Sequence, residues 1–67
     1  MKIFGERLRE LRTDAGLSAM KLGKRIGVSD AAIIRWENDK ADAKCEEIVK
    51  IAKHFGVSTD YLLGLED

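Results

Sequence analysis

From Ser18 to Glu37 the chain reads S-A-M-K-L-G-K-R-I-G-V-S-D-A-A-I-I-R-W-E. This is one short helix, a break at Gly27, and a second short helix that begins at Ser29. Two helices joined by a three- or four-residue turn make a helix-turn-helix, and the remaining chain can be organised around that unit.

The break belongs to a tripeptide that recurs as Gly16-Leu17-Ser18, Gly27-Val28-Ser29 and Gly56-Val57-Ser58. Each copy stops one helix and starts the next. Glycine takes the left-handed conformation after a last turn, and serine caps the free N–H groups of the following helix. The apolar residue between them occupies the position that staples onto the fourth helical residue, which pairs Leu17 with Leu22, Val28 with Ile33 and Val57 with Leu62.

With those boundaries, helix 1 runs from about Ile3 to Ala15 with Phe4, Leu8, Leu11 and Ala15 on one face. Helix 2 spans about Ala19 to Ile26, and helix 3 about Asp30 to Glu37 with Ile33 and Trp36 inward beside Val28. A loop from Asn38 to Asp42 leads to helix 4, roughly Lys44 to Phe55, with Ile48, Ile51, Ala52 and Phe55 inward. A short helix 5 from about Thr59 to Leu63 is ended by Gly64. The expected fold is all-α, a compact five-helix bundle in one domain covering residues 1–67.

Composition narrows the function classes. A chain of 67 residues has one cysteine and one histidine, which excludes an internal disulfide and a structural zinc site. No apolar run is long enough for a membrane span and no charged-then-apolar leader opens the chain, so a cytoplasmic protein is expected. Cys45 reads as a small buried or half-buried apolar residue of a reducing compartment, with a redox switch as the alternative. Cys45 and His54 lie about two and a half helical turns apart, too far for mutual activation, and no phosphate-cradling glycine loop is present. An enzyme is not expected. A domain of this size leaves no room for a ligand pocket, so no cofactor and no small-molecule ligand is expected in it.

Lys and Arg total 12 against 12 Asp and Glu, but the charges are not evenly spread. Lys2, Arg7, Arg9, Arg12, Lys21, Lys24 and Arg25 precede residue 26 against only Glu6, Glu10 and Asp14, while Asp60, Glu66 and Asp67 gather at the end. A neutral total with a basic first half is compatible with a nucleic-acid face of modest nonspecific affinity.

The second helix of a helix-turn-helix presents its N-terminal end and outer face to base edges in the major groove of double-stranded DNA. With Ile33 and Trp36 inward, Ser29, Asp30, Ala31, Ile34 and Arg35 point outward. Arg35 is the candidate for paired hydrogen bonds to guanine. Asp30 either accepts from a cytosine amine or serves only the helix N-terminus. Ala31 and Ile34 offer methyl groups to thymine, and Ile34 could equally be a protein contact. Lys21, Lys24, Lys40 and Lys44 are the candidate phosphate clamps, each alone equally readable as a solubilising lysine.

The segments G-V-S-D-A-A-I-I-R-W-E-N at 27–38 and I-V-K-I-A-K-H-F-G-V-S-T-D-Y-L-L-G at 48–64 resemble the Cro/C1-type (XRE-like) helix-turn-helix family of bacterial and phage regulators. The opening I-F-G-E-R-L-R-E-L-R-T-D-A-G-L-S fits the family's first helix. The resemblance implies a lambda-repressor-like five-helix domain, a transcriptional regulator of the repressor kind, and a two-fold dimer on a palindromic operator. It places base contacts on Asp30, Ala31, Ile34 and Arg35, and phosphate contacts near Ala19, Asn38 and Lys40; Ser29 is a further candidate phosphate contact. It also implies an ion pair between Arg12 and Glu37 that sets the angle of the third helix. The chain departs from the family pattern at Ala19, where glutamine is usual, at Gly23 for alanine, at Asp39 for glycine and at Ala43 for proline. Gly23 in a helix interior should cost about 1 kcal/mol.

For a weak homodimer, Tyr61, Leu62 and Leu65 are the candidate contacts, since the C-terminal end concentrates apolar residues. The alternative to DNA binding is a protein-interaction module on the same fold, favoured by the neutral charge, Ala19, Asp30 and an exposed Ile34.

Overall fold

A computed structural model describes residues 1–67 as five helices and no strands: α1 (Lys2–Asp14), α2 (Ala19–Ile26), α3 (Asp30–Glu37), α4 (Cys45–Phe55) and α5 (Thr59–Leu63). No helix is long and apolar enough to cross a membrane.

The three Gly-X-Ser units work as stop-start signals. Gly16, Gly27 and Gly56 have φ of 70°, 77° and 68°. The hydroxyls of Ser18, Ser29 and Ser58 accept from the backbone N–H groups of Lys21, Ala32 and Tyr61 at 3.1, 3.1 and 2.9 Å. Five helix ends close in the same way, with an N–H reaching back five residues to a carbonyl: Leu17 to Arg12, Val28 to Gly23, Lys40 to Arg35, Val57 to Ala52 and Leu65 to Asp60. That closure needs a left-handed residue just before the donor. At the end of α3 this residue is Asp39, with φ of 58°, the one non-glycine of the chain at positive φ. The family's glycine there has a plain physical reason, and aspartate is among the few side chains that tolerate the conformation.

α4 lacks a capping side chain at its start, because the residue before it is Lys44. Glu47 substitutes by reaching back to accept from the Lys44 backbone N–H at 2.7 Å. Cys45 is the first residue of α4 and is exposed, contrary to the buried or half-buried placement expected for it. An apolar preference does not bury a residue whose helix starts on the outer rim.

The core joins all five helices: Phe4 and Leu8 from α1, Leu22 and Ile26 from α2, Ile33 and Trp36 from α3, Ile48, Ile51 and Ala52 from α4 and Leu62 from α5, with Leu17 sealing one end. Each fully buried Leu or Ile contributes about 1.5–3 kcal/mol relative to exposure. Leu11, Val28, Phe55 and Val57 are half-buried at its margin. Ala15, expected on the inner face of α1, is exposed because the helix ends at Asp14.

Two close approaches depend on missing side chains. A Cβ on Gly5 would collide with the Trp36 carbonyl oxygen, so α1 crosses the end of α3 at backbone distance. A Cβ on Gly23 would sit 2.5 Å from the Val28 carbonyl oxygen. The helix-propensity cost expected at Gly23 is therefore accompanied by a gain: the turn folds directly onto α2 and draws α3 in behind it.

Candidate nucleic-acid interface

The inner side of α3 is held by apolar contact and by charge. Ile33 is wholly buried and Trp36 nearly so, with the Trp36 ring 6.3 Å from that of Phe4. Glu37 ends the helix with its side chain 2% exposed. Arg12 grips this carboxylate with two hydrogen bonds, Nε to Oε2 at 2.7 Å and Nη2 to Oε1 at 2.9 Å. A third bond runs from Arg12 Nη1 to the Leu17 carbonyl at 2.9 Å, which ties α1, the α1–α2 turn and α3 to one guanidinium. Hydrogen bonding to Glu37 raises the Arg12 pKa above the ordinary guanidinium value, so the arginine keeps its charge.

Arg9, one turn before Arg12 on the same face of α1, adds a second link that sequence reasoning missed. Its Nε approaches Glu37 Oε1 at 3.4 Å and its Nη2 donates to Asn38 Oδ1 at 2.7 Å. With the carbonyl oxygen of Asn38 occupied, its amide N–H₂ is the group left to donate outward. The i, i+3 spacing of Arg9 and Arg12 was visible in the sequence. That Arg9 joins Arg12 at the end of α3 was not.

The outer side of α3 has no such tethers. Asp30, Ala31, Ile34 and Arg35 are all exposed, Ile34 at 46%. The Arg35 side chain makes no hydrogen bond or ion pair within the protein, so its planar donor fork is free. Asp30 is partly committed, since its Oδ1 accepts from the Ala31 N–H at 2.9 Å. This is helix-end chemistry, one of the two roles open to it, and it leaves the second carboxylate oxygen available.

The phosphate candidates flank this surface at the starts of helices and in the loop after α3. Ala19 opens α2, and its side chain has nothing to donate. Its backbone N–H belongs to the first turn and has no intrahelical acceptor, which makes it a donor at the positive end of a helix. Ser29 accepts from the Ala32 N–H and retains its own hydroxyl proton to give. Lys21, Lys40 and Lys44 are exposed and form no ion pair, at the start of α2, in the loop and at the start of α4. Lys24 is also exposed, but lies in the last turn of α2, about 7 Å along the axis from Ala19.

The C-terminal dimer candidates separate into three environments. Leu62 is wholly buried and is a core residue, so it is removed from the candidate contacts: a five-residue helix needs one apolar anchor, and the staple from Val57 selects this one. Tyr61 is half-covered by Arg7, whose guanidinium lies 4.3 Å from the ring centroid and also donates to the Tyr61 and Glu66 carbonyls. Leu65 is 74% exposed and remains available. Val49 and Leu63, each 40% exposed, line a shallow groove between α4 and α5 with Cys45, Ile48 and Thr59.

Comparison with known proteins gives this geometry a context. Residues 8–62 match the helix-turn-helix family model. The chain is 36% identical over 62 residues to repressor protein C2 of Salmonella phage P22, covering 92% of this chain and 29% of that protein. It is 38% identical over 64 residues to the transcriptional activator BcrR of Enterococcus faecalis, covering 96% of this chain and 31% of that one. It thus spans about a third of the length of these relatives. Among solved structures, the P22 c2 repressor in complex with a synthetic operator superposes with a TM-score of 0.85 at 34% identity, covering 92% of this chain and 94% of that one. A five-helix core, a recognition helix bare on its outer face and a match over nearly the whole chain agree: this chain belongs to the Cro/C1-type helix-turn-helix family, whose members include phage repressors and bacterial transcriptional regulators.

Proposed function

We propose that the chain is the sequence-specific DNA-binding part of a transcriptional regulator, a repressor acting in the cytoplasm, and that it has no enzymatic activity. The observation that carries this reading is the two-sided α3. Its inner face is fixed to α1 by Arg12 and Glu37, and its outer face presents Arg35, Ile34, Ala31 and Asp30 with no partner beyond the local bond between Asp30 and Ala31. Arg35 pairs with guanine, Ile34 and Ala31 meet thymine methyl groups, and the free oxygen of Asp30 accepts from a cytosine amine. The Ala19 backbone N–H, the hydroxyl of Ser29, the amide of Asn38 and the ammonium groups of Lys21, Lys24, Lys40 and Lys44 hold phosphates on either side. A homodimer through the α4–α5 end, with Leu65 and the rim of Tyr61, places two such helices on a palindromic operator.

The test is selection from a random duplex library, followed by salt-dependent binding of the selected site. A palindromic consensus, a steep salt dependence, and loss of discrimination at one base pair in Arg35→Ala are expected. Absence of enrichment at low salt would refute DNA reading and favour the protein-interaction alternative, for which the exposed Ile34 and the neutral charge are the supporting observations.

A further inference from the structure

At the far ends of α2 and α4 from Ala19 and Lys44, an open cleft of about 510 Å³ is lined by Arg25, Ile26, Lys50, Lys53 and His54. Three of the chain's 12 Lys and Arg residues converge here. None of the three forms an ion pair, and no acidic residue lines the cleft. Cations are favoured in the last turn of a helix, which accounts for Arg25 on α2 and for Lys53 on α4. It does not account for Lys50 in the middle of α4. Lys50 lies three residues before Lys53 on one helical face, where like charges oppose folding. Nor does it account for α2 bringing Arg25 to the same place.

His54 supplies a second, independent observation. Its Nδ1 is buried with no hydrogen-bond partner, and its ring stands edge-on to Phe55 at 4.6 Å. A buried N–H without an acceptor is costly, so the imidazole proton belongs on Nε2, the nitrogen that makes no bond within the protein. The ring then offers a donor alongside the guanidinium and two ammonium groups.

We propose that this cleft is a binding site for a small anion bearing a diphosphate group, held by Arg25, Lys50, Lys53 and the Nε2–H of His54. Several cations around one opening match an anion with several charges better than a lone phosphate. The cleft is an open groove on the surface, which a chain too short for an internal pocket can still form. None of its lining residues is among those assigned to bases or phosphates, so binding there does not require DNA.

The experiment is a titration of free protein with inorganic diphosphate, followed by amide and imidazole NMR, with sodium chloride at matched ionic strength and orthophosphate as comparisons. The expected result is saturable shifts confined to Arg25, Lys50, Lys53 and His54, including the His54 Nε2 signal. Affinity should fall by about tenfold or more in Lys50→Gln/Lys53→Gln, whose sites are exposed and should leave the fold intact. Equal shifts with sodium chloride, equal affinity for orthophosphate, or unchanged affinity in the double variant would overturn the proposal. So would displacement of diphosphate by a duplex of arbitrary sequence, which would assign the cleft to the DNA backbone. Because the readout needs no operator, its failure is separate from any failure of the DNA-binding reading.

Discussion

The two faces of α3 are built from the same eight residues and do opposite jobs. The inner face, with Ile33, Trp36 and Glu37, is buried, and the carboxylate has two arginines. The outer face, with Asp30, Ala31, Ile34 and Arg35, has one local bond and no long-range one. The orientation of the helix therefore rests on the inner residues, and on the proposed reading base preference rests on outer residues that make no long-range contact. Position and specificity can be altered separately.

Arg12→Leu should break the inner face most severely. It strands a buried carboxylate with only the long, exposed Arg9 contact, at a cost of about 3–5 kcal/mol in thermal or denaturant unfolding. Loss of less than about 1 kcal/mol would show that the pair does not anchor α3. Next comes Gly5→Ala. Helix propensity alone predicts a gain of about 1 kcal/mol, but the new methyl strikes the Trp36 carbonyl, and overpacking costs about 1–3 kcal/mol. A net destabilisation is expected from the same unfolding measurement.

On the outer face the order reverses. Arg35→Ala should remove about 1–3 kcal/mol of discrimination at one base pair, measured by competition between operator variants. Its unfolding midpoint should correspond to a stability change within about 0.5 kcal/mol of the parent. A large stability loss would mean that the two faces are not independent. Smallest is Lys40→Gln, which should weaken binding to all sequences alike and reduce the salt slope by about 1. A sequence-dependent effect would move Lys40 from the phosphates to the bases.

The parts of this arrangement that were legible from sequence are those set by near neighbours along the chain. Gly27, Val28 and Ser29 carry their own stop, staple and cap, and the apolar spacing in α3 and α4 identified Ile33, Trp36, Ile48 and Ile51 as inward. The outward placement of Asp30, Ala31, Ile34 and Arg35 follows from the same periodicity. What could not be read depends on how separate helices cross. The bridge from Arg9 to Asn38, the approach of Gly5 to the Trp36 carbonyl and the meeting of Arg25 with Lys50 and Lys53 join residues far apart in the chain. Cys45 was misjudged because it opens its helix at the outer rim, and Leu62 because it was set among the dimer candidates although the staple from Val57 already turned it inward.

The repeated five-residue closure at helix ends has a consequence in time. Each closure and each serine cap is made within a handful of residues, so helix boundaries can form before distant parts of the chain meet. Local structure of this kind goes with rapid folding, in microseconds to milliseconds for small helical proteins. The chain contains no proline, so no peptide bond has to isomerise over tens of seconds before the native state is reached. Refolding after a denaturant jump should be a single fast phase without a slow tail. What remains after the local steps is the joining of distant segments, including the capture of Glu37 by Arg12 and Arg9 as α3 meets α1.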